Sequence, residues 1–430
     1  MKKRFEFSRK SLGYIEYESE RSFGVISPSH NGLSEAEETR AIMESFEKPI
    51  GAPRISEAAR GRKDAVILID DNTRNTPAYK IVPKIILELH EAGIRDERIK
   101  LLVATGTHRA MTQEEKGRKV GSDILSRFEI IDHLYDDPET MVSMGRTEKG
   151  TDILVNRLAL DADFLIGVGH IVPHRIPGFG GGGKIVQPGV CGEITTGQTH
   201  WLSAQYDSYE IMGIRENPVR KEIDDVARMV GLDYIVNVVL DVDGRVAGCV
   251  SGDMVDAHKE GCRVSSEVFC KELTRPADIV VSEAFPSDLD LWQAVKGLFS
   301  ADCAVRKSGI IILCAGLDEG VSGQHSLIEE LGYPVPEDIL SMVESGKVED
   351  LTVAAHLMHI SRIIHRRAKT ILVSDTLSKA TIEKLGFIYA PNAQRAYEQA
   401  LDLSPQDARS VFLRNGGEVM PAVKEGRYML

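Results

Sequence analysis

Unbroken apolar runs and alternating segments divide this chain into recognisable elements. Near the N-terminus, YIEYE and FGVIS alternate polar and apolar residues, which predicts a hairpin or edge strands. The segment from Ser34 to Arg62 is polar and reads as helix and loop. AVILID, from Ala65 to Asp70, is a short apolar run of the kind found in buried strands. PAYKIVPKIILELH predicts a helix opened by Pro77 and running to about His90, and KLLVATG predicts the next strand. A strand, helix and strand of this length form a parallel crossover. TQEEKGRKVGSDILSRF reads as the following helix, and DFLIGVG, from Asp163 to Gly169, as a third apolar strand.

Farther along, YIVNVVLDVDGRVAGCVSGD reads as two strands around an Asp-Gly turn, and DMVDAHKEGCRVSSEVFCKEL as a helix. After Thr274 the alternation starts again. ADIVVSEAF, GIIILCAG and KTILVSD are strands, LDLWQAVKGLFSADCAV is a helix, and HSLIEELG and PEDILSMVESG are short helices. The expected fold class is therefore α/β, as two α/β domains with parallel-sheet cores. The expected boundaries are an N-terminal domain over residues 1–274, a C-terminal domain over 275–400, and a tail over 401–430. The tail is read as a helix and a strand that pack back on the first domain. There are no internal repeats and no low-complexity segment.

Composition narrows the partners. At 430 residues the chain exceeds one ordinary core, with 42% hydrophobic and 27% charged residues. Its formal net charge of -13 argues against nucleic acid or an acidic membrane surface, but allows a small anion in a local basic pocket. No apolar run approaches the ~20 residues of a membrane span. The basic start, MKKRFEFSRKSLGYIEYE, lacks the apolar core of a signal peptide. The six cysteines form no CxxC pair, so a reducing cytoplasm is the expected compartment. Cys191 alone lies close to a glycine-rich stretch.

Three predicted strands are each followed at once by polar residues: DDNTRNTP after the first, GTHR after the second, HIVPHR after the third. Ligands bind at the carboxyl ends of strands in open α/β sheets. These loops gather Asp71 and Arg74, His108 and Arg109, then His170, His174 and Arg175. His108 and His174 each follow a strand end, where an imidazole can serve as general base near neutral pH. His30, His90, His133 and His258 are read as hydrogen-bonded structural histidines.

GFGGGGKIVQPG follows, and Lys184 within it has several readings. Gly178, Gly183 and Lys184 fit the G-x4-G-K spacing of a phosphate loop, but Ile185 stands where a magnesium-binding Ser or Thr belongs. Gly178, Gly180 and Gly183 fit G-x-G-x-x-G, a weak match in so glycine-rich a stretch and far from the first strand. Lys184 also suits an amine nucleophile or a cofactor anchor, and a solvated lysine in a flexible loop stays open beside these.

Taken together, GHIVPHRIPGFGGGGKIVQPG with the later His200, the upstream DDNTRNTP and GTHR, and WQAVK resemble the signature of nickel-dependent lactate racemase and its 2-hydroxyacid racemase and epimerase relatives. The similarity runs in order from about Asp70 to Lys296. It implies two α/β domains with the active site in the cleft between them. It implies a nickel pincer nucleotide, a pyridinium-3-thioamide-5-thiocarboxylic acid mononucleotide holding Ni(II). Lys184 would carry it through a thioamide and His200 would complete the metal's coordination, a role suited to imidazole. Gly181, Gly182 and Gly183 would let the cofactor and its phosphate approach the backbone. Enzymes that build the cofactor are the implied partners, together with a small anionic 2-hydroxy acid as substrate.

The chemistry follows from the substrate. The C2 hydrogen beside an ionised carboxylate is only weakly acidic. A base can instead take the hydroxyl proton while C2 releases hydride to an electrophile, and the resulting 2-keto acid accepts hydride on its other face. His108 and His174 are the candidate bases. Arg74 and Lys296 are candidates to hold the carboxylate, Gln293 to orient the substrate oxygen, and Asp71 to hold a histidine or the cofactor ribose. Trp292 stands where the lactate enzymes have a tyrosine. AHLMHISRII, with His356 and His359, offers helix-surface residues or a more polar pocket for a larger acid. The rival classes are a nucleotide-dependent transferase or kinase using the glycine loop, and a non-catalytic protein that binds an anion.

Overall fold

Every residue of the strand Ala65–Asp70 is buried, as an unbroken apolar run demands, and this strand lies inside a six-stranded sheet. The computed structural model describes residues 1–323 and 325–423. They form two units: residues 30–203 with 215–268, and residues 1–29 with 204–214 and the described residues from 269 on.

In the first unit the sheet order is Val246–Gly252, Leu232–Leu240, Leu165–His170, Ala65–Asp70, Ile99–Ala104 and Glu129–Asp132. All neighbours pair in parallel except the outer hairpin of Leu232–Leu240 with Val246–Gly252. Alternate residues point to opposite faces, so the sheet has two cores. Ile67, Ile69 and Val103 pack with Ile81, Ile85 and Leu89 of the helix Ala78–Glu91 on one side. Val66, Leu68 and Leu102 pack with Ile185, Val186 and Val226 on the other. The parallel crossover expected between the first two strands is present, with Ile67 in register with Leu101.

One expected helix is two. Thr112 and Glu115 form a capping box at the start of Gln113–Val120, and Gly121, at φ 87, ends it before Ser122–Arg127 begins. A left-handed residue cannot continue a right-handed helix, and glycine takes that conformation without a Cβ penalty.

The second unit holds an all-parallel sheet in the order Ile388–Tyr389, Ala368–Ser374, Val305–Ala315, Ala277–Glu283, Ser410–Leu413 and Ser22–Ile26. The partition differs from the expected contiguous one. FGVIS closes an edge of this sheet, and the hairpin Lys2–Glu6 with Tyr14–Glu18 stacks Phe5 and Tyr17 on Phe412 of the same unit. The tail also differs from a helix and a strand on the first domain. Ser410–Leu413 is fully buried between two strands of the second unit, and Met420–Val423 pairs with Cys270–Leu273. The apolar run SVFL gains most by central pairing, which leaves no face for a helix. Residues 424–430 of the expected tail lie outside the described residues. Among the described residues no helix is long and apolar enough to cross a membrane.

Candidate active site

The parallel sheet of the first unit delivers its polar loops to one edge, and hydrogen bonds join them. The first loop presents Asp71, which is buried, and the second presents His108. Asp71 Oδ2 accepts from His108 Nδ1 at 2.7 Å, and Asp71 Oδ1 accepts from the backbone N–H and the hydroxyl of Thr73. Burial pushes the Asp71 carboxyl up, but the bonds from His108 and Thr73 and the nearby Arg74 charge outweigh it and hold it below the usual carboxylate range. An ionised Asp71 fixes the His108 proton on Nδ1 and the lone pair on Nε2. Arg74, half-buried on the same loop, donates to the Thr73 hydroxyl at 2.9 Å.

Below that pair sits a second, buried layer. Lys119 Nζ pairs with Asp70 and donates to the carbonyls of Asp71 and Arg74 at 3.0 and 2.9 Å, which fixes the backbone of the first loop. Burial raises Asp70, but Lys119 and His170 hold it down at about 2. Thr76 bridges Asp70 and His170, so the third strand's end is tied to the first loop. Burial in turn lowers the His170 imidazole despite the Asp70 charge.

The glycine stretch has a structural reason that spacing did not reveal. It folds as a two-residue hairpin, Pro173–His174 against Gly178–Phe179, followed by a single 3-10 turn, Gly182–Ile185. Gly181 and Gly182 have φ of 72 and 59, which favours glycine. A Cβ at Gly181 would lie 2.6 Å from Ile171 and 2.8 Å from Asn237, and one at Gly182 would lie 2.9 Å from the His258 ring. At Gly183 it would meet Ala227 and Asp224 at 3.0 Å. The bare side of these glycines therefore faces the protein's own side chains.

Arg220, with 0% exposure, knits this loop from beneath. Its guanidinium donates to the carbonyls of Pro177, Phe179 and Gly181, the last at 3.2 Å, and reaches Asp224 at 3.4 Å. Asn237 accepts from the Gly182 N–H at 2.8 Å, and His258 bonds the Gly180 carbonyl at 2.8 Å. A buried charge is tolerable only when paired and hydrogen-bonded in this way. Sequence reading missed Arg220. Its signal was an Arg and an Asp four residues apart within the apolar stripe of the helix Pro218–Val230.

Lys184 rides on this turn, half-buried. Three hydrogen bonds join its loop to the other candidates. Gly106 N–H, two residues before His108, donates to the Gly189 carbonyl at 2.9 Å. Buried Gln187 donates to Thr195 and Thr199 of the helix Glu193–Ser203, which carries His200. His200 Nδ1 lies 2.8 Å from the Thr196 carbonyl, so its proton sits on Nδ1 and its lone pair on Nε2. His174 is opposite in kind. Its Nδ1 accepts from the Ile176 N–H at 3.1 Å, which puts the neutral ring's proton on Nε2. Cys191 is fully buried, and burial pushes its thiol far up, so it packs as a small apolar residue. The expected structural histidines are hydrogen-bonded: His30 to Asp243, His90 to Asp96, His133 to the Cys191 carbonyl, His258 to Gly180.

Gln293 and Lys296 belong to the second unit, in the first turns of the helix Leu291–Ala304, half-buried. Asp290 caps that helix by accepting from the Gln293 N–H at 2.8 Å. Burial raises the Asp290 carboxyl, and Lys296 is among the groups that oppose the shift. Trp292 stacks on His356, at 4.1 Å and 11°, and meets the tilted ring of His325 at 4.2 Å. The helix-surface reading of His356 and His359 is overturned. Both are buried, and His356 Nε2 is hydrogen-bonded to the Tyr333 hydroxyl at 3.0 Å. The helix Leu351–Arg362 buries nine successive residues from Val353, too broad a face for a surface helix.

Two units built on sheets rich in parallel strands, with helices packed against them, define an α/β protein of two domains. The model of the lactate racemase N-terminal domain matches residues 10–211, and that of the lactate racemase C-terminal domain matches residues 273–420. Lactate racemase from Lactiplantibacillus plantarum is 33% identical over 398 residues, 90% of this chain and 91% of the relative. Lactate racemase from Thermoanaerobacterium thermosaccharolyticum is 28% identical, over 88% of this chain and 89% of the relative. The solved lactate racemase apoprotein from that organism superposes with a TM-score of 0.86, at 25% identity, over 98% of this chain and all of its own. A Thermotoga maritima structure at 22% identity and TM-score 0.69 shares the fold. The chain belongs to the lactate racemase family, and it is a racemase, hence an isomerase.

Proposed function

We propose that this racemase inverts C2 of lactate or a larger 2-hydroxy acid with a nickel pincer nucleotide, attached at Lys184 and ligated at Ni(II) by His200. The observation that carries the reading is the 2.7 Å pair of Asp71 and His108, joined through Gly106 and Gly189 to the loop of Lys184. Among the described residues no three His, Cys, Asp or Glu side chains converge to hold a metal. A metal used here would therefore arrive with most of its donors, which fits a pincer cofactor that asks the protein for one imidazole. The Thr196 carbonyl on Nδ1 orients His200 as an Nε2 ligand, the usual arrangement around a metal-binding histidine. When bound, the group would supply an electrophilic centre that takes hydride from C2 and returns it.

The remaining work falls to the chain. His108 Nε2 takes the hydroxyl proton on one face, and Asp71 stabilises the imidazolium that forms. His174 serves the other face. With its proton on Nε2 it starts as a donor to the substrate oxygen, so the two rings begin in complementary states. Arg74 holds the carboxylate by its planar fork, with Lys296 as a second cation and Gln293 as a polar guide for the oxygen. The expected approach of a cofactor to Gly181, Gly182 and Gly183 meets side chains of the protein itself, so these glycines serve by shaping the turn that carries Lys184, and Arg220 keeps that backbone in place. Cofactor-building enzymes are the expected partners, in a reducing cytoplasm.

The rival phosphate-loop reading lacks its structural context. In such loops the lysine opens a helix whose N-terminus holds phosphate. Here Lys184 lies in one 3-10 turn and the next α-helix begins only at Glu193.

The test is racemisation of enantiopure 2-hydroxy acids by cofactor-loaded protein in deuterated water, read by chiral chromatography and mass spectrometry. Inversion with C2 hydrogen retained is the expected result. Solvent deuterium at C2 would mean direct deprotonation and would overturn the hydride reading.

A further inference from the structure

A cavity of about 520 Å³ opens on the first unit, bounded by the first loop, the start of the helix Ala78–Glu91, the helix Gln113–Val120 and the Asp-Gly turn before Val246. Five cations and two carboxylates line it, in a chain whose net charge is -13. Both carboxylates are already engaged. Glu38 takes Lys80 at 2.8 Å. Glu115 accepts from Arg109 at 2.6 and 2.9 Å, from the Thr112 N–H at 2.8 Å and from Asn72 at 2.9 Å, and the Arg109 bond above all holds it down at about 2.

Three of the cations are also committed. Lys80 is spent on Glu38, Lys119 on Asp70, and Arg245 on Asp241 and Asp243 at 3.0 and 3.1 Å. That leaves two guanidiniums on the wall. Among the described residues the Arg74 guanidinium hydrogen-bonds only to its neighbour Thr73, and Arg118 makes no ion pair. Arg74 faces the Asp71 carboxylate, whereas Arg118 has no carboxylate partner, so the cavity keeps a positive potential that an oxyanion relieves. The side chains of Asn75 and Thr76 add neutral polar groups to the same wall. The volume exceeds that of a single phosphate ion and falls in the range of small-molecule sites.

We propose that this cavity is a second anion site, which takes a compact polyanion of the polycarboxylate or phosphate-monoester class between Arg118 and Arg74. The site does not depend on the cofactor. One consequence does rest on the proposed role of Arg74: a bound polyanion draws its guanidinium away from the substrate carboxylate, so it raises KM and leaves kcat unchanged.

The experiment is calorimetric titration of citrate, glycerol 3-phosphate and inorganic phosphate into the cofactor-free chain at low ionic strength. Saturable binding of citrate or glycerol 3-phosphate is expected, and whichever is tighter identifies the class. Arg118→Glu should weaken it about tenfold or more, the worth of a charge-assisted contact. Arg263→Ala, on an exposed helix paired with Glu260 and Glu267, should leave it unchanged. Arg118 is exposed, so its variant should keep the wild-type unfolding midpoint. Binding of inorganic phosphate alone, no saturable binding of any of the three, or binding untouched by Arg118→Glu overturns the site. In the loaded racemase, intact binding without a KM effect would reject the shared use of Arg74 and leave the anion site standing.

Discussion

The two candidate regions, one in each unit, are organised differently. In the first, Asp71, His108, Lys119, Arg220 and Asn237 are wired into a backbone scaffold by hydrogen bonds that end on loop carbonyls and N–H groups. In the second, the helix start that carries Gln293 and Lys296 is organised by aromatic contact, with Trp292 against two histidine rings. Hydrogen bonds fix direction and protonation, as a proton-transfer step requires. Stacked rings fix shape and polarity, as choice of substrate requires. On the proposed function, chemistry falls to the first region and selectivity to the second.

The largest expected effect comes from breaking the hydrogen-bonded region at its centre. His108→Asn should lower kcat of the loaded enzyme by on the order of 10³-fold, within the range of general-base removal, with the Lys184 adduct unchanged by mass. Asp71→Asn should cost on the order of 10²-fold, because an amide no longer favours the Nε2 lone pair of His108 or stabilises its imidazolium. Steady-state kinetics in both directions checks both, and an unchanged kcat in either variant would dissolve the proposed pair.

Arg220→Met should destabilise the first unit by about 3 kcal/mol, measured by denaturant unfolding, because Asp224 and three loop carbonyls lose their buried partner. A stabilised variant would mean that the buried charge is a cost the loop does not need.

The aromatic region is broken by acid. Burial, with the His325 charge, lowers His356 to about 3, below the ~6.5 of an unfolded histidine. Between those values the unfolded chain binds the extra proton, so stability falls as pH drops through the window. His356→Gln should remove about 2 kcal/mol of that loss at pH 5, read as a smaller difference in unfolding free energy between pH 7 and pH 5. Asp70 provides the contrast. Held at about 2, it contributes stability that is complete above the unfolded value of ~3.9 and vanishes only as pH falls toward 2. The smallest effect is expected from Trp292→Tyr. Loss of the two ring contacts should cost about 1 kcal/mol and shift preference among 2-hydroxy acids, measured as a ratio of kcat/KM values.

The same contrast explains what could be read from sequence. Strand ends and the loops after them are local, so Asp71, Arg74, His108, His174 and Lys184 could be singled out from order and spacing. Parallel pairing then brings such loops to one edge without further information. Arg220, Asn237 and His258 lie tens of residues from the loop they hold, and nothing in their own neighbourhoods names the glycines they touch. The break at Gly121 depends on a backbone conformation, not on apolar period. His356 and His359 were left open between a helix surface and a more polar pocket, because burial on nearly all sides is decided by elements brought in from elsewhere. The strand at Ser410–Leu413 was missed for the same reason, since its partners, Ser22–Ile26 and Ala277–Glu283, lie far away in sequence.

The most direct test of the central claim is intact-protein and peptide mass spectrometry, with nickel analysis, on chain co-produced with enzymes that build the pincer cofactor. The account predicts added mass on the peptide containing Lys184, with nickel retained in wild type and depleted in His200→Ala. Equal added mass in Lys184→Ala, or a loaded and active protein without nickel, would contradict it.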